Sequence, residues 1–80
     1  MNVPVIKEIV GLYSVEELQA AEEKMMNEEA PDIRIEGKDE GEQLTHVLAA
    51  IWIKGYMESS GESLSKSVRE YSVKVRKSIS

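Results

Sequence analysis

Leu44-Thr45-His46-Val47-Leu48-Ala49-Ala50-Ile51-Trp52-Ile53-Lys54-Gly55-Tyr56-Met57 decides the fold of this 80-residue chain. Its apolar residues recur at three- and four-residue spacing rather than alternating, so the stretch reads as a helix and not as a half-buried strand. Turning 100° per residue from Leu44, the residues Val47, Ile51, Gly55, Leu48, Trp52, Tyr56, Ala49 and Ile53 fill an arc of about 240°. Gln43, His46, Ala50, Lys54 and Met57 occupy the remaining strip, which reads as the solvated side. One neighbouring layer cannot cover so wide an arc. The helix is expected at the centre of the domain, packed on at least two sides. The second side belongs either to the rest of the bundle or to another copy of the chain.

Working outward, Asp39 suits the N-cap of this helix, with Glu42 three residues later as its capping-box partner. Ser59-Ser60-Gly61 closes it in a turn. Upstream, Ser14-Val15-Glu16-Glu17 is a second capping box, opening a helix through about Glu29 with Val15, Leu18, Ala21 and Met25 on its inner face. Pro31 stops that helix. Pro4 to Tyr13 reads as a first helix with Ile6, Ile9, Val10 and Tyr13 inward, a strand being the fallback for so β-branched a segment. Downstream, Ser63 caps a last helix whose stripe is Leu64, Val68, Tyr71, Val75 and Ile79. Between the second and third helices, Ile33 and Ile35 alternate with charges, which leaves residues 32–36 open between a loop and a short extended segment. The fold class is therefore all-α, a small four-helix bundle-like single domain over residues 1–80.

A chain this short has a thin core, and such domains often add a disulfide, a metal or a second copy of themselves. There is no cysteine and only one histidine, so disulfides, thiolate nucleophiles, Cys-based zinc and His-rich metal centres all fall away. Self-association is the staple that remains, and a homodimer is expected. No basic n-region leads into a long apolar stretch, and the longest apolar run, Val47 to Ile53, falls far short of the roughly 20 residues that span a bilayer. A cytoplasmic protein that does not enter membranes is the expectation. Charge is unevenly placed. Up to Glu62 fourteen acids face five bases, whereas from Ser63 onward five bases (Lys66, Arg69, Lys74, Arg76, Lys77) face Glu70 alone. An acidic body opposes phosphate backbones, so nucleic acid is not an expected partner. The basic last helix suits docking on an acidic surface.

The sharpest candidate for chemistry is Asp39, Glu42 and His46, which share one helix face at spacings of 3 and 4. Carboxylates and imidazole at that spacing are how di-iron bundles present ligands. Those sites draw several such groups from different helices, and this chain has no second histidine. A metal-binding protein or metal-dependent enzyme using these three residues is thus the alternative reading, with no cofactor in the leading one. The acidic run Glu36 to Glu42 lacks the order of an EF-hand loop. No serine sits in a nucleophile elbow, so an enzyme is not the expectation. Trp52 and Tyr56, one turn apart at the edge of the apolar arc, together with Ile53, are the candidate partner-binding residues, because aromatic anchors dominate interface energetics.

Val3-Pro4-Val5-Ile6-Lys7, the Gly41-Glu42-Gln43-Leu44 helix start and the closing Val75-Arg76-Lys77-Ser78-Ile79 are similar to a family of small bacterial all-helical proteins of unknown function. The resemblance runs nearly end to end. It implies an uncharacterised cytoplasmic protein with no assigned catalytic residues, and a protein partner related to thiol-redox physiology. A chain without a thiol would serve there as an adaptor or regulator. The leading functional reading is a self-associating protein–protein interaction module.

Overall fold

Four helices follow one another in the computed structural model, which describes residues 2–79 and, of Ser78 and Ile79, the backbone alone. They are α1 Val3–Leu12, α2 Val15–Met26, α3 Glu40–Ser60 and α4 Leu64–Ile79. No strand occurs among the described residues. The Ile79 position of the predicted α4 stripe lies outside the described side chains.

Each helix starts where its cap dictates. The Asn2 side chain accepts from the Val5 N–H, and Pro4 occupies the first turn of α1, where its missing donor costs nothing. Ser14 and Glu17 form the complete capping box of α2. Asp39 Oδ1 accepts from the Glu42 N–H at 2.8 Å, while Glu42 reaches back to the Lys38 N–H rather than to Asp39. The Ser63 hydroxyl accepts from the Lys66 N–H at the start of α4. α2 stops at Met26, earlier than the periodicity predicts, and Glu28 takes a left-handed φ of 61° just beyond it. α3 ends on Gly61 at φ 73°, a conformation that costs a glycine nothing.

α1, α2 and α4 all pack on α3 and barely meet one another. The core joins Ile6, Ile9 and Val10 of α1, Leu18 of α2, Val47, Ala49, Ala50 and Ile53 of α3, and Val68 of α4. Residues 32–36 form an irregular connector, not a strand, yet Ile35 is buried and Ile33 packs on the core. Gly37 belongs to the same connector, and a side chain there would strike Gln43 at 2.8 Å. The molecule measures 32 × 28 × 19 Å. Its short dimension is less than two helix diameters of about 10–12 Å, so a central helix in this slab is not wrapped on every side.

α3 faces the opposite way from the expectation. The strip read as solvated, His46, Ala50 and Lys54, is turned into the protein, with His46 and Ala50 fully buried. Two small residues, Ala49 and Ala50, let neighbouring backbones come close, and interaxial distance follows side-chain size. Lys54 donates from Nζ to the Val10 carbonyl at 3.0 Å. α1 carries no basic residue in its own last turn, so Lys54 brings a cation to its carbonyl end from α3.

His46 links three elements. Its Nδ1 lies 2.8 Å from the Glu36 carbonyl oxygen, and its Nε2 lies 3.3 Å from the Asn2 backbone nitrogen. A carbonyl only accepts and an amide N–H only donates. The ring must therefore be the neutral Nδ1–H tautomer, donating to Glu36 and accepting from Asn2. Replacing His46 with Ala removes both bonds and opens a cavity where the buried ring stood, which should cost about 2–4 kcal/mol. Thermal unfolding should show a fall in Tm of many degrees. An unchanged Tm would mean that neither bond holds the fold.

Candidate functional site

Because α3 turns His46 and Ala50 inward, the middle of its apolar arc points out. Leu48 is 43% exposed. Leu44 and Ile51, beside it on the arc, are only half-buried, and Gly55 is exposed. Beyond its chain neighbours and the helix's own backbone, no described atom lies within 4 Å of the point where a Gly55 side chain would begin. Among the described residues, none buries Leu48 or Gly55, while Ile51 still packs partly on the core.

Next to the stripe, α3 and α4 form an open groove of about 450 Å³ lined by Trp52, Tyr56, Glu70, Val73, Lys74 and Lys77. The Trp52 and Tyr56 rings stack with centroids 5.1 Å apart and planes 11° off parallel. Tyr71 tilts against the other side of Trp52 at 5.5 Å. Offset and tilted aromatic pairs of this kind hold each other rigid and leave a flat apolar wall. Burial raises the Tyr71 phenol above its ordinary value, so it stays neutral at physiological pH. Val73, 37% exposed, stands on the outer side of α4. Glu70, Lys74 and Lys77 of the same helix line the groove with it.

The three candidate partner-binding residues separate. Trp52 and Tyr56 are half-buried and line the groove. Ile53 is fully buried in the core and cannot touch a partner in the folded protein. Sequence reasoning placed Ile53 at the edge of the arc, whereas it faces inward beside His46. Leu48 was missed as a surface residue because a leucine in an apolar arc reads as core. Its signal was Gly55, two turns on along the same line, a position with no side chain to bury.

Asp39, Glu42 and His46 do share a stretch of α3, but each is already engaged. Asp39 and Glu42 cap backbone N–H groups, and the one lone pair of the His46 ring accepts from Asn2. Metal ligation or proton abstraction by His46 would require breaking the bond that docks the start of α1. Among the described residues, no group of three or more His, Cys, Asp or Glu side chains is placed to hold a metal ion. The metal-based alternative therefore loses its ligand set.

These features define a small all-α domain whose distinctive surface is an uncovered apolar helix face beside an aromatic groove. The chain belongs to the family of unknown function DUF6952, which it matches over residues 1–80. No curated protein and no solved structure matches it. No helix among the described residues is long and apolar enough to cross a membrane.

The burial pattern separates two substitutions of the same chemistry. Ile53→Glu buries an unpaired carboxylate and should unfold the domain. Leu48→Glu should leave the far-ultraviolet circular dichroism spectrum native, with monomer stability within about 0.5 kcal/mol of the parent. Equal damage from both would place Leu48 in the core.

Proposed function

We propose that this chain is a protein-interaction module that works as a self-associated pair, joined through the outer face of α3 and the adjoining groove against α4. The observation that supports this most directly is the exposed Leu48 at the centre of the widest apolar arc in the sequence. The half-buried Leu44, Ile51 and Trp52 flank it, so a partner seated there would bury apolar surface on several adjoining side chains. The aromatic wall of Trp52 and Tyr56 supplies rigid anchor groups at low entropic cost. A standard interface takes about 800 Å² from each partner. The chain exposes 5306 Å² in all, so one flat side of the slab is enough. With its single histidine engaged in the fold and no thiol available, the chain fits an adaptor or regulatory role better than a catalytic one.

Light scattering over a concentration series tests this reading. The parent chain should approach a mass of about 18 kDa, twice the 9.0 kDa protomer, and Leu48→Glu should remain at the protomer mass while still folded. A parent chain that stays at the protomer mass at every concentration would remove self-association and leave the face to a foreign partner.

A further inference from the structure

α2 ends in a turn that suits glycine and carries glutamate. Beyond the Asn27 cap, the Glu28 N–H donates to the Met25 carbonyl and the Glu29 N–H to the Lys24 carbonyl. This pair of bonds is the Schellman motif, in which the first residue past the cap is left-handed and usually glycine. Glu28 holds that position at φ 61°. A side chain makes the conformation unfavourable. The charge is unfavourable too, because the carbonyl end of a helix repels anions, and Glu29 beside it meets the same repulsion. Lys24, the cation of the last turn, pairs with Asp32 at 3.0 Å instead of with either glutamate. Neither backbone conformation nor helix charge favours acids here.

Both glutamates line a cleft of about 640 Å³ between the end of α2 and the first turn of α3. Met25, Met26 and Leu44 supply its apolar lining, and Met26 is 67% exposed. Methionine reshapes itself around whatever packs on it, which suits a docking surface. Glu40 adds a carboxylate from α3, where the start of the helix favours it. No lining residue is basic. Among the described residues none of the three carboxylates makes an ion pair. Negative charge from two elements therefore flanks an apolar lining, in a cleft of the size that seats ligands, about 300–1,000 Å³.

We propose that this cleft docks a basic segment of a different protein. An apolar anchor side chain sits among Met25, Met26 and Leu44, and Lys or Arg residues on either side of it pair with Glu28, Glu29 and Glu40. Charge complementarity selects the occupant, and the apolar lining sets its need for an anchor. The chain's own basic helix is a poor occupant, since Lys66 pairs with Glu62 and Lys74 and Lys77 are already engaged. Counting 100° per residue, Glu40 and Gln43 lie across α3 from Trp52 and Tyr56. The site is thus separate from the aromatic groove and stands whether or not the chain self-associates.

The test is fluorescence anisotropy at low ionic strength with full-length chain and two labelled peptides. One carries Lys and Arg on both sides of a Leu-Met pair, and the other has Ser in place of Leu and Met. The parent should bind the first about tenfold more tightly than the second. E28K/E29K should weaken binding of the first about tenfold, whereas E8K/E58K, with the same charge change at exposed acids outside the cleft, should weaken it far less. Glu28→Gly should weaken it about threefold while raising Tm by about 4 °C. Without peptide, light scattering should give E28K/E29K the same mass as the parent. No saturable binding, equal affinity for the two peptides, or equal losses in E28K/E29K and E8K/E58K would overturn the proposal. So would a lower Tm in Glu28→Gly, which would assign Glu28 to the fold, or a changed mass in E28K/E29K, which would assign the cleft to a contact between copies.

Discussion

The bonds that His46 makes to Glu36 and Asn2 fix which way α3 faces, and most of the architecture follows from that. An imidazole is buried at little cost only when both nitrogens are matched, and here one partner comes from the connector before α3 and the other from the residue that caps α1. With His46 inward, Ala49 and Ala50 come with it, and their small side chains let the neighbouring helices close on the axis of α3. Lys54, two turns on, reaches the carbonyl end of α1. One face of α3 thereby holds both ends of α1. The opposite face, where Leu48 and Gly55 lie, keeps its apolar residues in water.

Much of the fold was legible in the sequence. Local signals carried it: the Ser14 box, Asp39 and Ser63 as caps, Gly61 as a stop, and the stripes of α1 and α4, whereas α2 ends at Met26, well before Pro31. The central place of α3 was expected too, and α1, α2 and α4 do pack on it, although not over the middle of its apolar arc. Its rotation was not. A helical wheel ranks residues by hydrophobicity, so it puts leucine, isoleucine and tryptophan inside and histidine, alanine and lysine outside. That ranking fails when a polar ring finds backbone partners distant in sequence, as His46 does with Asn2. It also ranks alanine low, whereas Ala49 and Ala50 are both fully buried in the core. The same limit applies to the candidate partner-binding residues: Ile53 lies in the core, Leu48, which reads as core, is exposed, and Trp52 and Tyr56 are half-buried.

The choice left open at residues 32–36, a loop or a short extended segment, falls to an unpaired connector. Alternating Ile33 and Ile35 match one face of a strand, but a strand needs a neighbour to pair with, and the surrounding elements are helices. Both isoleucines pack on the core from an irregular path instead. Charge placement, by contrast, carried through to the surface almost unchanged. Glu28, Glu29 and Glu40 rim a cleft between α2 and α3, and Lys74 and Lys77 line, with Glu70, a groove between α3 and α4.

The account stands on Leu48 being at the centre of a contact between copies. The chain has no cysteine, so Leu48→Cys introduces a single thiol at that point, and Leu12→Cys places one at an equally unhindered site, 62% exposed, away from the stripe. A disulfide needs Cα atoms within about 7 Å, a separation that helices packed about 8–10 Å apart reach only along their line of contact. Under mild oxidation at low protein concentration, Leu48→Cys should convert rapidly and nearly completely to a covalent dimer while Leu12→Cys stays largely monomeric. Equal, slow cross-linking of the two variants would contradict the account.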